Sequence, residues 1–200
     1  MSGTNRVDLD VNGGDAVVKL AGNAKWIGEF NAGAAGSATR GGSIVVDGPA
    51  SATLSDDGSS LVYFGDVQIG VNVKGTGTID FLAGKLEFIH GVGAGQTVDE
   101  TGYHSTASLI LDDPKDFAGL VNFTPISEWG AAIDLEGLAK ADSYAFKNDI
   151  LSIYGAHNKL IDTLKLNASS AFSVEKSGST VVVWAFYNPD PSAMALPMRS

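Results

Sequence analysis

Asp8-Leu9-Asp10-Val11-Asn12-Gly13 reads D-x-D-x-N-G, the opening of a calcium loop. Alternating oxygen ligands and a glycine for the sharp turn are what a hard divalent cation requires. Such a loop closes on a bidentate glutamate at its twelfth position, where this chain has Lys19. Asp8, Asp10 and Asn12 are therefore the candidate metal ligands and Ca²⁺ the only candidate ion. A strand with outward carboxylates and a Gly-Gly turn explains the same residues. Asp112-Asp113 with Asp116, and Asp56-Asp57-Gly58, are two further acidic clusters. Asp-Asp-Pro and Asp-Asp-Gly commonly form turns whose carboxylates accept local backbone N–H groups.

Other chemistries find little support. The chain has no cysteine, which removes thiol nucleophiles, thiolate metal sites and disulfides. His90, His104 and His157 stand far apart, with no metal-binding pair spacing. No nucleophile-elbow serine occurs, and no helical pattern follows Gly91-Val92-Gly93-Ala94-Gly95 to cradle a phosphate. Lyases acting on uronates place cations beside the substrate carboxylate, yet the only arginines are Arg6, Arg40 and Arg199. No catalytic residue is assigned. A ligand patch remains at Trp129, Tyr103 and His104. An exposed ring stacks on a sugar face while a polar neighbour holds its hydroxyls. Trp26 and Trp184 lie within apolar strand runs and are expected in the core.

Charge narrows the partners. Asp and Glu total 23 against 13 Lys and Arg, a net charge of -10 over 200 residues. Phosphate backbones and anionic membranes would be repelled. The longest apolar run, Val181–Phe186, is too short to span a bilayer. Met1 to Asp8 is polar and carries no signal-like apolar segment. A surface or secreted protein would therefore be exported without a visible N-terminal signal, or this chain would be a piece of a longer one.

The elements that must position these residues are strands. Val7, Leu9 and Val11 alternate with polar residues, and similar short runs recur to Thr180–Phe186, separated by Gly, Asn and Asp turns. With 25 glycines and little helical periodicity, the pattern predicts an all-β fold. It is a right-handed parallel β-solenoid with an irregular N-terminal cap, or alternatively a β-sandwich. One segment competes for helix, from Ser127 as a cap through Glu128 to about Ala141. The expected organisation is a cap or hairpin appendage over 1–42, a solenoid over 43–187 and a Pro-rich tail over 188–200. Phe117, Val121, Ile133, Leu135, Leu151, Ile153, Leu164, Leu166, Phe172 and Val174 are the predicted inward stack, with Asp134 turned to the opposite face.

From Asp113-Pro114-Lys115-Asp116-Phe117-Ala118-Gly119-Leu120-Val121-Asn122-Phe123, through Ile133-Asp134-Leu135, Ile150-Leu151-Ser152-Ile153 and Ile161-Asp162-Thr163-Leu164-Lys165-Leu166, to Phe172-Ser173-Val174, the chain resembles the β-solenoid repeat segments of large bacterial secreted and surface proteins, of adhesin-like and autotransporter-passenger-like kind. The resemblance covers about Gly84 to Trp184. It implies a structural or adhesive module at a bacterial cell surface, without a cofactor. The implied partners are a surface polysaccharide or other copies of the same chain. The calcium-binding nonapeptides of some export repeats are missing. A carbohydrate-binding domain or a polysaccharide-degrading enzyme on a β-helix is the alternative function. Asn122-Phe123-Thr124 and Asn167-Ala168-Ser169 match glycosylation sequons, to which a bacterial resemblance gives no weight.

Overall fold

A computed structural model describes residues 3–6, 8–11, 13–33, 42–101, 107–124, 130–168 and 172–185. The described residues are mostly strand (64%) and wind into a β-solenoid of about five turns. Two single 3₁₀ turns, Pro114–Asp116 and Ala156–Asn158, are the only helical pieces among the described residues. Stacked parallel coils replace the sandwich alternative.

Each coil contributes to three walls. The first holds β1 (Thr4–Arg6), β4 (Lys25–Ile27), β7 (Thr53–Ser55) and β9 (Asn72–Lys74), paired in parallel. Single bridges, Val73 to Val92 and Val92 to Phe117, carry it further. The second wall runs through β2 (Leu9–Val11), β5 (Phe30–Ala32), the first part of β8 (Ser59–Ile69), the first part of β10 (Thr78–Phe88), β11 (Thr97–Glu100) and β13 (Leu120–Phe123). The third runs through β3 (Asp15–Lys19), β6 (Ser43–Asp47), the remainders of β8 and β10, β12 (Ala107–Leu111) and β14 (Ala131–Leu135). In the middle of the stack one coil advances the chain by 19 residues, as from Gln68 to Glu87 and from Asn72 to Gly91.

The local chemistry explains the walls. Each strand alternates buried and accessible residues, so apolar side chains fall inward at every second position. Inward residues stack on their equivalents one coil away. Trp26, Leu54, Val73, Val92 and Phe117 form one such file, and Val67, Leu86, Leu109 and Ile133 another. β8 and β10 turn the corner between the second and third walls without ending. The register shifts there between Phe81 and Gly84, and Gly84 has φ +101°. A Cβ on Gly84 would overlap the Gly65 carbonyl oxygen, so both conformation and space demand glycine.

The parallel winding stops after β14. β15 (Ser143–Lys147), β16 (Ile150–Gly155) and β17 (Lys159–Ala168) form an antiparallel meander, and β17 also adds in parallel to β13 on the second wall. β18 (Phe172–Ser177) and β19 (Thr180–Ala185) form a hairpin whose β19 runs antiparallel to β14. Asn148 and Asp149, with φ +51° and +59°, make the tight turn before β16. The Phe146 and Phe172 rings meet edge to face with centroids 5.0 Å apart and join the two antiparallel pieces.

Every residue of the expected inward stack, from Phe117 to Val174, is buried, and Asp134 is part-exposed beside fully buried Ile133. Residues 4–32 supply β1 to β5, whose pairings are all parallel and belong to the stack itself. Ala131–Leu135, where a helix from Ser127 competed with a strand-like run, is strand, and β12 offers it a ladder of backbone partners. One expectation differs from the structure. Trp184 is only part-buried. Val181, Val183 and Ala185 take the inward positions of β19, so parity turns Trp184 outward. Trp26 is buried as expected. The tail over 188–200 lies outside the described residues. Among those described, no helix is long and apolar enough to cross a membrane.

Candidate functional site

The outward face of the second wall carries the most regular arrangement of polar side chains in the molecule. One register line runs Asp10, Asn31, Leu61, Asp80, Asp99, Asn122 and Asn167. Each occupies the centre of a strand triplet whose flanks point inward, as in Ile79-Asp80-Phe81 and Val121-Asn122-Phe123. Neighbours on this line are one strand spacing apart, about 4.8 Å. A parallel line on one side contains Ser59, Thr78, Thr97 and Leu120.

Hydrogen bonds tie the rungs together. Asn31 Nδ2 donates to Asp10 Oδ1 at 2.6 Å, and Ser59 Oγ donates to Asp80 Oδ2 at 3.1 Å. Asn167 Nδ2 donates to Asn122 Oδ1 at 3.1 Å, and Asn122 Nδ2 donates to Asp99 Oδ1. In each of these bonds a side-chain N–H or O–H meets an oxygen of the neighbouring rung, while Asp80 and Asp99 stand side by side as two carboxylates. The result is an open groove of about 830 Å³, lined also by Leu61, Leu82, Thr101 and Thr124. Its chemistry is that of a hydroxyl-rich ligand. Carboxylates and amide oxygens accept from hydroxyls, amide nitrogens donate, and the leucines offer apolar footing for C–H faces.

Asp80 and Asp99 sit on adjacent rungs, a spacing compatible with a glycosidase carboxylate pair, whose members are about 5–5.5 Å apart in retaining enzymes. Each already spends an oxygen on a ladder partner. Among the described residues, no lysine or arginine lines the groove to form the cationic seat a uronate lyase uses.

Of the residues expected to bind metal, Asp10 belongs to this ladder and Asp8 lies just before its strand. Asp8 Oδ1 accepts the Glu29 backbone N–H at 3.2 Å, and Asp10 holds Asn31. Asn12 lies outside the described residues. Among those described, no three His, Asp or Glu gather as a metal site. Tyr103, His104 and Trp129 also lie outside the described residues, in the chain segments that follow groove residues Thr101 and Thr124. The Asp56-Asp57-Gly58 cluster is a corner turn. Asp56 is fully buried and accepts from Ser60 Oγ at 3.0 Å and the Gly58 N–H at 3.3 Å. Burial raises its carboxyl above the usual range, although those two bonds oppose the rise. Beside it, Gln96 Nε2 donates to the Lys74 carbonyl at 3.0 Å and to that of Asp56, tying three coils together.

On the third wall Lys85 pairs with Glu87 at 2.8 Å, and Gln68 donates to the same carboxylate at 2.9 Å. Burial alone would raise Glu87, but these two hydrogen bonds and the Lys85 charge hold it below the usual range. Asp112 is raised by burial and by Glu87 and Glu136 nearby, and Asp134 by burial and Glu136. Inside the second wall, Glu100 stands in line with Phe81 and Phe123 and is fully buried. Neither of its oxygens has a hydrogen-bond partner among the described residues. Burial pushes its carboxyl well above the usual range, and Asp134 adds to the rise. The nearby Ala132 amide opposes it without reaching hydrogen-bond geometry.

Sequence reasoning missed the ladder. Its signal was present as a recurring Asp or Asn between two inward residues, at Leu9-Asp10-Val11, Phe30-Asn31-Ala32, Ile79-Asp80-Phe81, Val98-Asp99-Glu100, Val121-Asn122-Phe123 and Leu166-Asn167-Ala168. The unequal loops between the triplets hid the repeat. No protein-family model, curated protein or solved structure matches the chain.

Proposed function

We propose that the chain is an adhesive module of an exported bacterial surface protein that lays its second wall along an extended polysaccharide. The observation that carries this reading is the ladder of Asn, Asp, Ser and Thr side chains along one open groove. A linear glycan presents hydroxyls at regular intervals, and a row of donors and acceptors held by its own hydrogen bonds meets them with little ordering cost. Groove leucines Leu61 and Leu82 supply the apolar part of each contact. Tyr103, His104 and Trp129, close in the chain to Thr101 and Thr124, are the aromatic and polar residues to test by substitution.

A glycan array combined with a turnover assay on neutral and uronate polysaccharides tests the reading. The expected result is retention of at least one extended neutral glycan without release of reducing ends. Asn122→Ala should weaken retention about tenfold, the loss of one or two hydrogen bonds. Turnover abolished by Asp80→Asn or Asp99→Asn would replace the adhesive reading with a glycosidase. Retention of no glycan would reject a carbohydrate ligand.

A further inference from the structure

A second pocket, which shares no lining residue with the ladder groove, lies where the antiparallel meander meets the last coil. It is open and has a volume of about 870 Å³. Three of the thirteen basic residues line it, Lys115, Lys140 and Lys159, together with His157. All four are exposed. In a chain of net charge -10, this gathering is the opposite of the average surface.

The pocket is built by close packing of two turns. A Cβ on Gly155 would lie 2.7 Å from the Lys140 carbonyl oxygen, so glycine there allows the turn before β15 to lie against the turn before β17. The Asp142 N–H donates to the Tyr154 carbonyl at 2.8 Å, and Lys176 Nζ caps the Ala141 carbonyl at 2.9 Å. His157 and Asn158 both take left-handed backbone angles, φ +60° and +56°, which only the surrounding turn maintains. Lys115 arrives from the 3₁₀ turn that packs on β17.

The charges do not cancel at the rim. Among the described residues, none of the three ammonium groups has a carboxylate within ion-pair distance. Asp162 is buried near Lys115, with Asp113 close by. Among the described residues, Asp142 is the one acidic residue lining the pocket. Leu160, 52% exposed, adds an apolar surface beside the lysines.

We propose that this pocket binds the carboxylate of an acidic sugar, a uronate unit, independently of the ladder. The lysines and His157 face the carboxylate, Asp142 accepts ring hydroxyls, and Leu160 supports the ring's apolar side. A long polyanion such as a nucleic acid would be repelled by the rest of the surface. A compact anion with hydroxyls and an apolar face uses every feature present.

Trigalacturonate is the probe, with its neutral methyl ester, inorganic phosphate and adenosine monophosphate as comparisons. Amide chemical shifts and titration calorimetry are read on the full chain. Trigalacturonate is expected to shift the amides of residues 157–160 and Lys140, and to bind more weakly as salt rises from about 0.05 M to about 0.3 M. The double variant Lys140→Gln, Lys159→Gln should lower its affinity at least about tenfold at an unchanged Tm. Lys115→Gln should weaken it in the same direction, and Asn122→Ala should leave it unchanged. Absence of shifts at these amides, equal binding of the methyl ester, or loss of binding in Asn122→Ala would overturn the site. Equal binding of phosphate or the nucleotide would overturn the sugar as its ligand. Because the shifts are read on the unmodified chain, a poorly folding variant would still leave the proposal open to refutation.

Discussion

The parallel coils and the antiparallel end solve the same burial problem with different tolerances. In the coils, inward side chains stack on their equivalents in the adjoining coils, and backbones at several corners nearly touch. Gly42, Gly65, Gly75 and Gly84 each have a neighbouring coil where a Cβ would go. At the antiparallel end, Gly137 and Gly178 turn into open space. There the chain reverses by tight turns, and two sheets meet through the Phe146–Phe172 contact. Repetition thus brings the backbones of adjoining coils together at these four corners, while the irregular end leaves room for a pocket.

Substitution at paired glycines breaks or sharpens this contrast most strongly. Both Gly84 and Gly178 have positive φ, +101° and +62°. Only Gly84 also faces a backbone atom of the next coil. Gly84→Ala is expected to destabilise by about 3 kcal/mol or more, and Gly178→Ala by about 1 kcal/mol. Chemical denaturation measures both. Equal losses would mean that the corner relaxes.

Next in size is the parity of β14. Ile133→Ala should cost about 2–5 kcal/mol, because the side chain is fully buried between Leu109 and Val183. Asp134→Ala should cost less than about 1 kcal/mol. A comparable loss at both positions would contradict the alternation on which the third wall rests.

Buried carboxylates of the coils give a pH signature. For Glu100, the folded state holds its proton to higher pH than the unfolded chain does. Below the ordinary glutamate value near 4.5 both states are protonated, and stability is complete. As pH rises above that value the unfolded chain releases the proton first, so stability falls until the folded carboxyl also ionises. Asp56, Asp112, Asp134 and Asp162 act in the same direction from 3.8 upward, and Glu87 acts in the opposite one. The protein is therefore expected to melt at a higher temperature near pH 5 than near pH 8. Glu100→Gln should flatten that slope, as thermal melts across the range would show. An unchanged slope would remove Glu100 as a contributor.

The smallest expected effect lies on the ladder. Asn122→Ala removes links to Asp99 and Asn167 on a solvent-facing wall and should cost about 0.5–1.5 kcal/mol, while altering glycan retention far more visibly. A large stability loss with no change in retention would make the ladder a structural device.

Residue types alone determined the all-β class and the inward stack from Phe117 to Val174, though not the outward turn of Trp184. Alternating apolar residues and glycine-punctuated turns act over a few residues, and strand parity follows from local geometry. Ile133 and Asp134 were assigned to opposite faces on that basis. The absence of cysteine and the acid excess likewise narrowed the chemistry before any contact was known. Only the tertiary structure decided which outward residues share a line. Asp10, Asn31, Asp80, Asp99, Asn122 and Asn167 become neighbours because each coil closes on the one before it, whatever the loop length between them. Lys115, Lys140 and Lys159 meet because the chain abandons parallel winding after β14 and folds back. Pairing over a whole coil is set by the fit of stacked interiors, a long-range free energy that no local window of residues carries.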